Sequence, residues 1–218
     1  MPTTTYMIVL RHEKLNGKLI ALEGPDGCGK STQTKLLAEW LQSEGHEVMI
    51  TDEPTENPIG RILKSALHGE IDISLETEAL LFAGDRALHV HEDIRPALDD
   101  GKIVITERYL YSSLAYQTAR GLSEEWVKTI NEPAIIPDLS LIIDVPAEVG
   151  LERMESSREL DTFEKDLSLQ KRVRERYKEI AESERITIID GTKEISSVQS
   201  DIRKEVSQVL HADLSGER

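Results

Sequence analysis

The hydrophobic pattern of this chain predicts an α/β fold, a doubly wound sheet of about five parallel strands flanked by helices. Three observations carry that expectation. Short apolar runs at 19–22, 48–51, 103–105, 139–145 and 186–189 have strand length, and they lack the polar alternation of a sheet with one wet face. Helical patterns separate them, so strand and helix alternate about five times. Chemistry-bearing residues then fall just after strands, at Gly24, Glu53 and the pair Glu107-Arg108, where such sheets gather ligands.

In chain order, residues 1–17 read as an extension before the first core strand. Its one apolar run, Met7 to Leu10, is followed at once by Arg11, His12, Glu13 and Lys14, which is not the pattern of a signal peptide. The first strand enters Gly24-Pro25-Asp26-Gly27-Cys28-Gly29-Lys30-Ser31-Thr32, a G-x-x-x-x-G-K-S turn with a strand before it and a helix after it. Its glycines let successive N–H groups turn inward, and with the positive end of the next helix they hold nucleotide phosphates. Lys30 adds a mobile charge for the β/γ-phosphates, and the Ser31 hydroxyl is a candidate Mg²⁺ ligand.

A first helix is expected over 30–43, ended by Gly45, with Leu36, Leu37, Trp40 and Leu41 on its apolar face. Pro54 and Pro58 follow the second strand and make a loop, and a helix is expected near 59–67. A longer helical region covers 75–98, with Leu80, Leu81, Ala87, Leu88, Ile94 and Leu98 as its apolar set. Further helices are expected at 110–119, 124–131, 147–153, about 164–183 and 194–210. The last carries Ile195, Val198, Ile202, Val206 and Val209 at helical spacing.

Composition limits the function classes. The chain has 218 residues, a formal net charge of −15 and 39% hydrophobic residues, which suits one domain with a sizeable core. That charge argues against general nucleic-acid or anionic-membrane binding, and no stretch is long enough to span a bilayer. The single cysteine, Cys28, excludes an intramolecular disulfide and fits a cytoplasmic protein. His89 and His91 alternate on a helix and face different directions, so no metal site is expected there.

Four constellations carry chemistry. Asp26 is an acid inside an anion-holding loop; it is either an outward turn residue or a partner for a sugar hydroxyl of a second substrate. Glu107-Arg108 ends a buried apolar strand, the arrangement in which the acid orients Mg²⁺ and its waters. Arg108 would stand between donor and acceptor phosphates and neutralise the transferred charge. Phe82 and Arg86, four apart in L-L-F-A-G-D-R, share a helix face, where an aromatic ring and a guanidinium can read a base. Phe82 can equally be ordinary core. The polar stretch around Arg153 and Arg158 has the character of a lid.

Taken together these motifs resemble the thymidylate kinase family, over most of the chain from Lys18 to about Leu210. E-G-P-D-G-C-G-K-S-T (23–32), T-D-E-P-T (51–55), L-L-F-A-G-D-R (80–86) and E-R-Y-L-Y-S-S-L-A-Y-Q (107–117) occur in the family's order. The run from Asp144 through Arg153 to S-R-E-L-D-T-F-E then resembles its approach to the lid. The resemblance implies ATP and dTMP as substrates, Mg²⁺, a homodimer, one kinase domain over 18–211 with a lid at about 154–162, and a flexible tail over 212–218. It implies that residues 24–32 hold ATP and that Asp26 binds the 3′-hydroxyl of the monophosphate. Phe82 would stack on thymine, Arg86 would contact the base edge, and Ser113 would lie near it. Tyr116 would pack under the deoxyribose. Lys30, Glu107, Arg108 and the lid arginine Arg158 would act in transfer, with Ser31 and Glu107 at the metal. Glu53 and Arg61 would join the acceptor site.

Two residues depart from the family pattern. Glu107 replaces a common Asp, and Asp52 replaces an Arg found in many bacterial members, so a basic contact to the acceptor phosphate is either missing or supplied by Arg61. A rival reading as a GTP-dependent switch needs an N/T-K-x-D sequence after a strand, and the fourth strand ends D-V-P-A instead. A kinase for another nucleotide is the remaining rival, opposed by Phe82, Arg86 and Tyr116.

Overall fold

The computed structural model describes residues 15–156 and 166–212. Residues 1–14 of the extension, residues 157–162 of the expected lid with Arg158, and residues 213–218 of the tail lie outside the described residues.

Five strands, β1 (Lys18–Glu23), β2 (Val48–Asp52), β3 (Ile103–Glu107), β4 (Leu139–Asp144) and β5 (Thr187–Asp190), form one sheet in the order β2-β3-β1-β4-β5. Every pairing is parallel. The helices are α1 (Lys30–Ser43), α2 (Pro58–Leu67), α3 (Leu75–His89), α4 (Arg95–Asp99), α5 (Leu110–Ala119), α6 (Glu124–Ile130), α7 (Ala147–Glu155), α8 (Leu167–Glu184) and α9 (Ile195–Ala212).

Burial explains why the strands read as unbroken apolar runs. Successive side chains point to opposite faces, and both faces are covered along the inner strands β1, β3 and β4, whereas the edge strands β2 and β5 leave Ile50 and Ile188 49% and 42% exposed. Ile20 and Leu22 pack with Leu37, Leu41 and Ile202 on the α1/α9 side. Leu19 and Ala21 pack with Ile94, Leu98 and Tyr109 on the other. A third cluster joins Ile142 to α5, α6 and α8 through Leu114, Val127, Val173 and Tyr177. β1 is central, so the loop that leaves it is held from both sides.

Several boundaries differ from the sequence expectation. β2 and β3 each run to an acid, and Asp52 pairs with Glu107 in the ladder, which places the two carboxylates side by side at the strand ends. The region 75–98 is helical but not uniform. A π-helical turn, Val90–Ile94, lies between α3 and α4, with the Arg95 N–H bonded to Val90 O. It directly precedes Pro96, which has no N–H to continue an α-helical ladder. The expected apolar face is also only partly inside. Ile94 and Leu98 are buried, whereas Leu80 is 52% exposed. α3 instead turns Ala79, Ala83, Asp85, Arg86 and His89 inward. Its inner face is polar because it lines the site. Among the described residues no helix is long and apolar enough to cross a membrane.

The extension's last residues are tied down: Gly17 N–H bonds Leu98 O at 2.8 Å, and Asn16 Nδ2 bonds Asp99 O at 3.0 Å.

Candidate active site

The loop after β1 curls as its glycines allow. Gly24, Gly27 and Gly29 all have positive φ, and Gly29 precedes α1 in the left-handed region. The loop is also locked from outside. A Cβ on Gly27 would run into the backbone of Gly150 on α7, and a Cβ on Gly150 would run into Asp26 O. The two glycines therefore let a helix backbone rest on the loop backbone.

Two cavities meet over this loop. The donor-side cavity is lined by residues 26–33, with Glu107, Arg108, Arg153 and the segment 191–195. Ser31 and Glu107 share it, so two hard oxygen donors of the kind Mg²⁺ takes face one space. Both terminal nitrogens of Arg153 lie 3.1 Å from Gly191 O, which ties α7 to the turn after β5. Lys30 Nζ is turned onto its own loop, donating to Pro25 O at 2.9 Å and Gly24 O at 3.1 Å, with Cys28 Sγ at 3.6 Å.

The second cavity is lined by Asp26, Glu53, Pro54, Leu67, Glu78, Phe82, Arg86, Arg108, Ser112, Ser113, Tyr116, Gln117, Arg120 and Leu169. Asp26 and Arg108 line both cavities. Arg108 Nη2 is ion-paired with Asp26, and Tyr116 Oη donates to Asp26 Oδ2 at 2.8 Å. Gln170 on α8 donates to the same oxygen at 3.0 Å. Burial would raise the Asp26 carboxyl, but Arg108, Lys30 and these hydrogen bonds outweigh it and hold it below the ordinary carboxylate range. Arg108 sits over the Tyr116 ring at 5.1 Å, and Tyr177 meets that ring edge-on.

Arg86 is 2% exposed and is held on several sides. It donates to Glu53 Oε2 at 2.7 Å, Tyr109 O at 2.9 Å and Ser113 Oγ at 3.1 Å, and also to Asn131 Oδ1. Glu53 is fixed in turn by His89 Nδ1 at 3.1 Å, whose Nε2 lies 2.7 Å from Thr51 Oγ1. Among the described residues the Arg86 Nε and both amide atoms of Gln117 are buried without a hydrogen-bond partner. A buried polar group left unpaired costs about 1–3 kcal/mol, and these three atoms belong to two residues that line this cavity.

Most residues expected from the sequence are therefore brought together. Asp26, Glu53, Phe82, Arg86, Arg108, Ser113 and Tyr116 line the acceptor-side cavity. Gly27, Cys28, Gly29, Lys30, Ser31, Thr32 and Glu107 line the donor-side one. Arg61 is not among the lining residues; it is exposed on α2, with Nη1 donating to Glu56 O at 2.6 Å. Arg158 lies outside the described residues. Sequence reasoning missed Glu23, Gln117, Gln170 and the segment 191–195. Only Gln117 had a local signal: it follows Ser113 by four, on the same face of α5.

The parallel sheet, the phosphate-binding loop on its central strand and a second cavity opposed to it define a P-loop nucleoside monophosphate kinase. A family profile for thymidylate kinase matches residues 22–202. A Thermococcus gammatolerans protein named probable thymidylate kinase is 45% identical over 203 residues, covering 89% of this chain and 98% of that protein. One from Pyrococcus abyssi with the same name is 45% identical over 194 residues, covering 86% and 95%. The thymidylate kinase of Leuconostoc mesenteroides is 39% identical over 203 residues, covering 88% and 95%. The chain belongs to the thymidylate kinase family.

Proposed function

We propose that this protein transfers the γ-phosphate of ATP to dTMP, giving ADP and dTDP. The observation that carries the reading is the pair of opposed cavities that share Asp26 and Arg108. One is lined by the phosphate-binding loop and the other by Phe82, Arg86, Ser113 and Gln117.

On this reading the acceptor base slides against Phe82. The Arg86 Nε–H, a donor only, meets the C4 carbonyl of thymine; the C4 amine of cytosine offers it no lone pair. The Gln117 amide supplies a donor and an acceptor for the adjacent carbonyl and N3–H. Asp26 accepts from the 3′-hydroxyl, and Tyr116 lies under the deoxyribose. Arg153 and the segment 191–195 flank the adenine.

In the transfer an oxygen of the acceptor phosphate forms a bond to the γ-phosphorus. The bond from that phosphorus to the β,γ-bridging oxygen breaks, and ADP leaves with the electron pair. No covalent enzyme intermediate is needed, so this chain contributes positioning and charge neutralisation. Lys30 leaves its loop carbonyls for the donor phosphates, and Arg108 turns from Asp26 toward the transferred group. Ser31 and Glu107 would hold Mg²⁺, which supplies charge neutralisation on the donor phosphates.

The family reading also favours a homodimer. Ile62 on α2 and Leu80 on α3 are 48% and 52% exposed on neighbouring helices, an apolar face that a second subunit would cover. Sedimentation velocity tests that point. A cytoplasmic setting suits the single free cysteine, Cys28.

A coupled ADP-release assay across dTMP, dUMP, dCMP and thymidine tests the function. Turnover is expected to be highest with dTMP, lower with dUMP and near background with dCMP and thymidine. Equal turnover of dCMP, or nucleotide hydrolysis with no monophosphate product, would refute it.

A further inference from the structure

We infer that Glu23 is a positioning residue for the transfer, acting through Ser112 to anchor one arm of Arg108 while the other arm exchanges between Asp26 and the acceptor phosphate. The inference rests on the phosphotransfer reading above.

Glu23 ends the central strand and is fully buried, at 0% exposure. Its carboxylate accepts the Ser112 hydroxyl at 2.6 Å and the Tyr111 N–H at 3.1 Å. The second bond serves the first turn of α5, whose preceding residue Tyr109 makes no side-chain cap. That one carboxylate thus ties the strand feeding the phosphate-binding loop to the helix that carries Ser113, Tyr116 and Gln117.

The Ser112 oxygen is a junction. It lies 2.8 Å from Tyr177 Oη and 3.4 Å from Arg108 Nη1, and Nη1 is also 3.5 Å from Gly24 O. A hydroxyl has one proton to give. Burial pushes the Glu23 carboxyl up, against the Ser112 hydrogen bond and the charges of Arg86 and Arg108; in its ionised form it only accepts, so Glu23 takes that proton and leaves the Ser112 lone pairs to Arg108 and Tyr177. The chain then has one direction, from guanidinium to serine to carboxylate. Nη1 is held on this side while Nη2 faces Asp26 and, at 3.5 Å, Tyr116 Oη. An arginine fixed by one nitrogen can pass the other to an arriving phosphate without losing its place. A Glu23→Gln side chain keeps the shape but presents an amide N–H₂ that can donate to Ser112. The serine proton must then turn toward Tyr177 Oη or Arg108 Nη1, and the order that reserves a lone pair for Arg108 is lost.

The test compares wild type, Glu23→Gln, Ser112→Ala and the double variant in steady-state kinetics, with melting temperatures alongside. Glu23→Gln is expected to lower kcat by about tenfold to a hundredfold, the scale of a misplaced catalytic group. KM for ATP is expected to change by less than about threefold, with melting within a few degrees of wild type. The double variant is expected to be no worse than Glu23→Gln alone, because the two act in one path. Glu23→Gln retaining kcat within twofold, or losses that multiply in the double variant, would overturn the inference. If Glu23→Gln does not fold, Ser112→Ala alone decides, since near-normal kcat in it removes the proposed path. A wild-type protein inactive on dTMP would sink the parent reading together with this one, whereas an active wild type with an indifferent Glu23→Gln would sink this one only.

Discussion

Gly150→Ala separates the demands of a helix from those of the loop it touches. Gly150 lies inside α7, where alanine is favoured over glycine by about 1 kcal/mol on propensity alone. A Cβ there would sit well under 3.0 Å from Asp26 O, a separation real Cβ atoms essentially never show, and ordinary contact begins at 3.4 Å. The obstacle is backbone, so either α7 or the phosphate-binding loop must move by about 1 Å, and overpacking of this kind costs about 1–3 kcal/mol. The net loss is roughly 0–2 kcal/mol, or at most a few degrees in melting temperature for a chain this size. Activity should suffer far more, because the displaced residue is Asp26, and a shift of about 1 Å at a reacting site costs roughly a hundredfold. Gly84→Ala on α3 is the matched control: its Cβ would meet only Ile59 methyl carbons at 3.7 and 3.9 Å. That variant should gain about 0.5–1 kcal/mol in chemical denaturation and keep its kcat/KM. The reasoning is refuted if Gly150→Ala is stabilised like the control and retains full kcat/KM.

Other outcomes are expected from the same geometry. Asp26 has its carboxyl lowered on folding, so its contribution is present above the ordinary value of 3.8 and is lost as pH falls through the folded value. Asp26→Asn should therefore cost about 2 kcal/mol in urea unfolding at pH 7 and progressively less below pH 3.8, while raising KM for dTMP. Gln117→Leu removes two buried unpaired atoms, so its melting temperature should hold or rise. Its KM for dTMP should rise about tenfold, with KM for ATP unmoved. Lys30→Ala should abolish turnover in the ADP-release assay with far-UV circular dichroism unchanged, and EDTA should silence the wild type until Mg²⁺ is restored.

The sequence made the sheet legible because burial on both faces writes strands as plain apolar runs, and the G-K-S turn marks β1 and α1 together. It misled on α3. Leu80 and Leu81 looked like the inner face, yet the inward side carries Asp85, Arg86 and His89, because a site-lining helix puts its polar residues inside. Arg108 and Asp26 could be assigned to roles from spacing, but their pairing could not, since it joins two loops 82 residues apart. Glu23 was read only as the residue before Gly24. Its importance lies in reaching Tyr111 and Ser112, 88 and 89 residues away, and no local pattern records that. Gln170 is hidden for the same reason, as an ordinary polar residue in a polar helix until α8 is folded over the loop.

Arg108 holds a backbone conformation, φ 66°, that glycine adopts freely and that costs a side-chain-bearing residue about 1–2 kcal/mol. That left-handed step lets Glu107 line only the donor side while the next residue reaches both cavities. Glycine at 108 would relieve that step but leave the Asp26 carboxylate without its ion-pair partner, so resistance to heat and the shared guanidinium are bound together at this position. A screen for stability alone would therefore already guard the residue that lines both cavities.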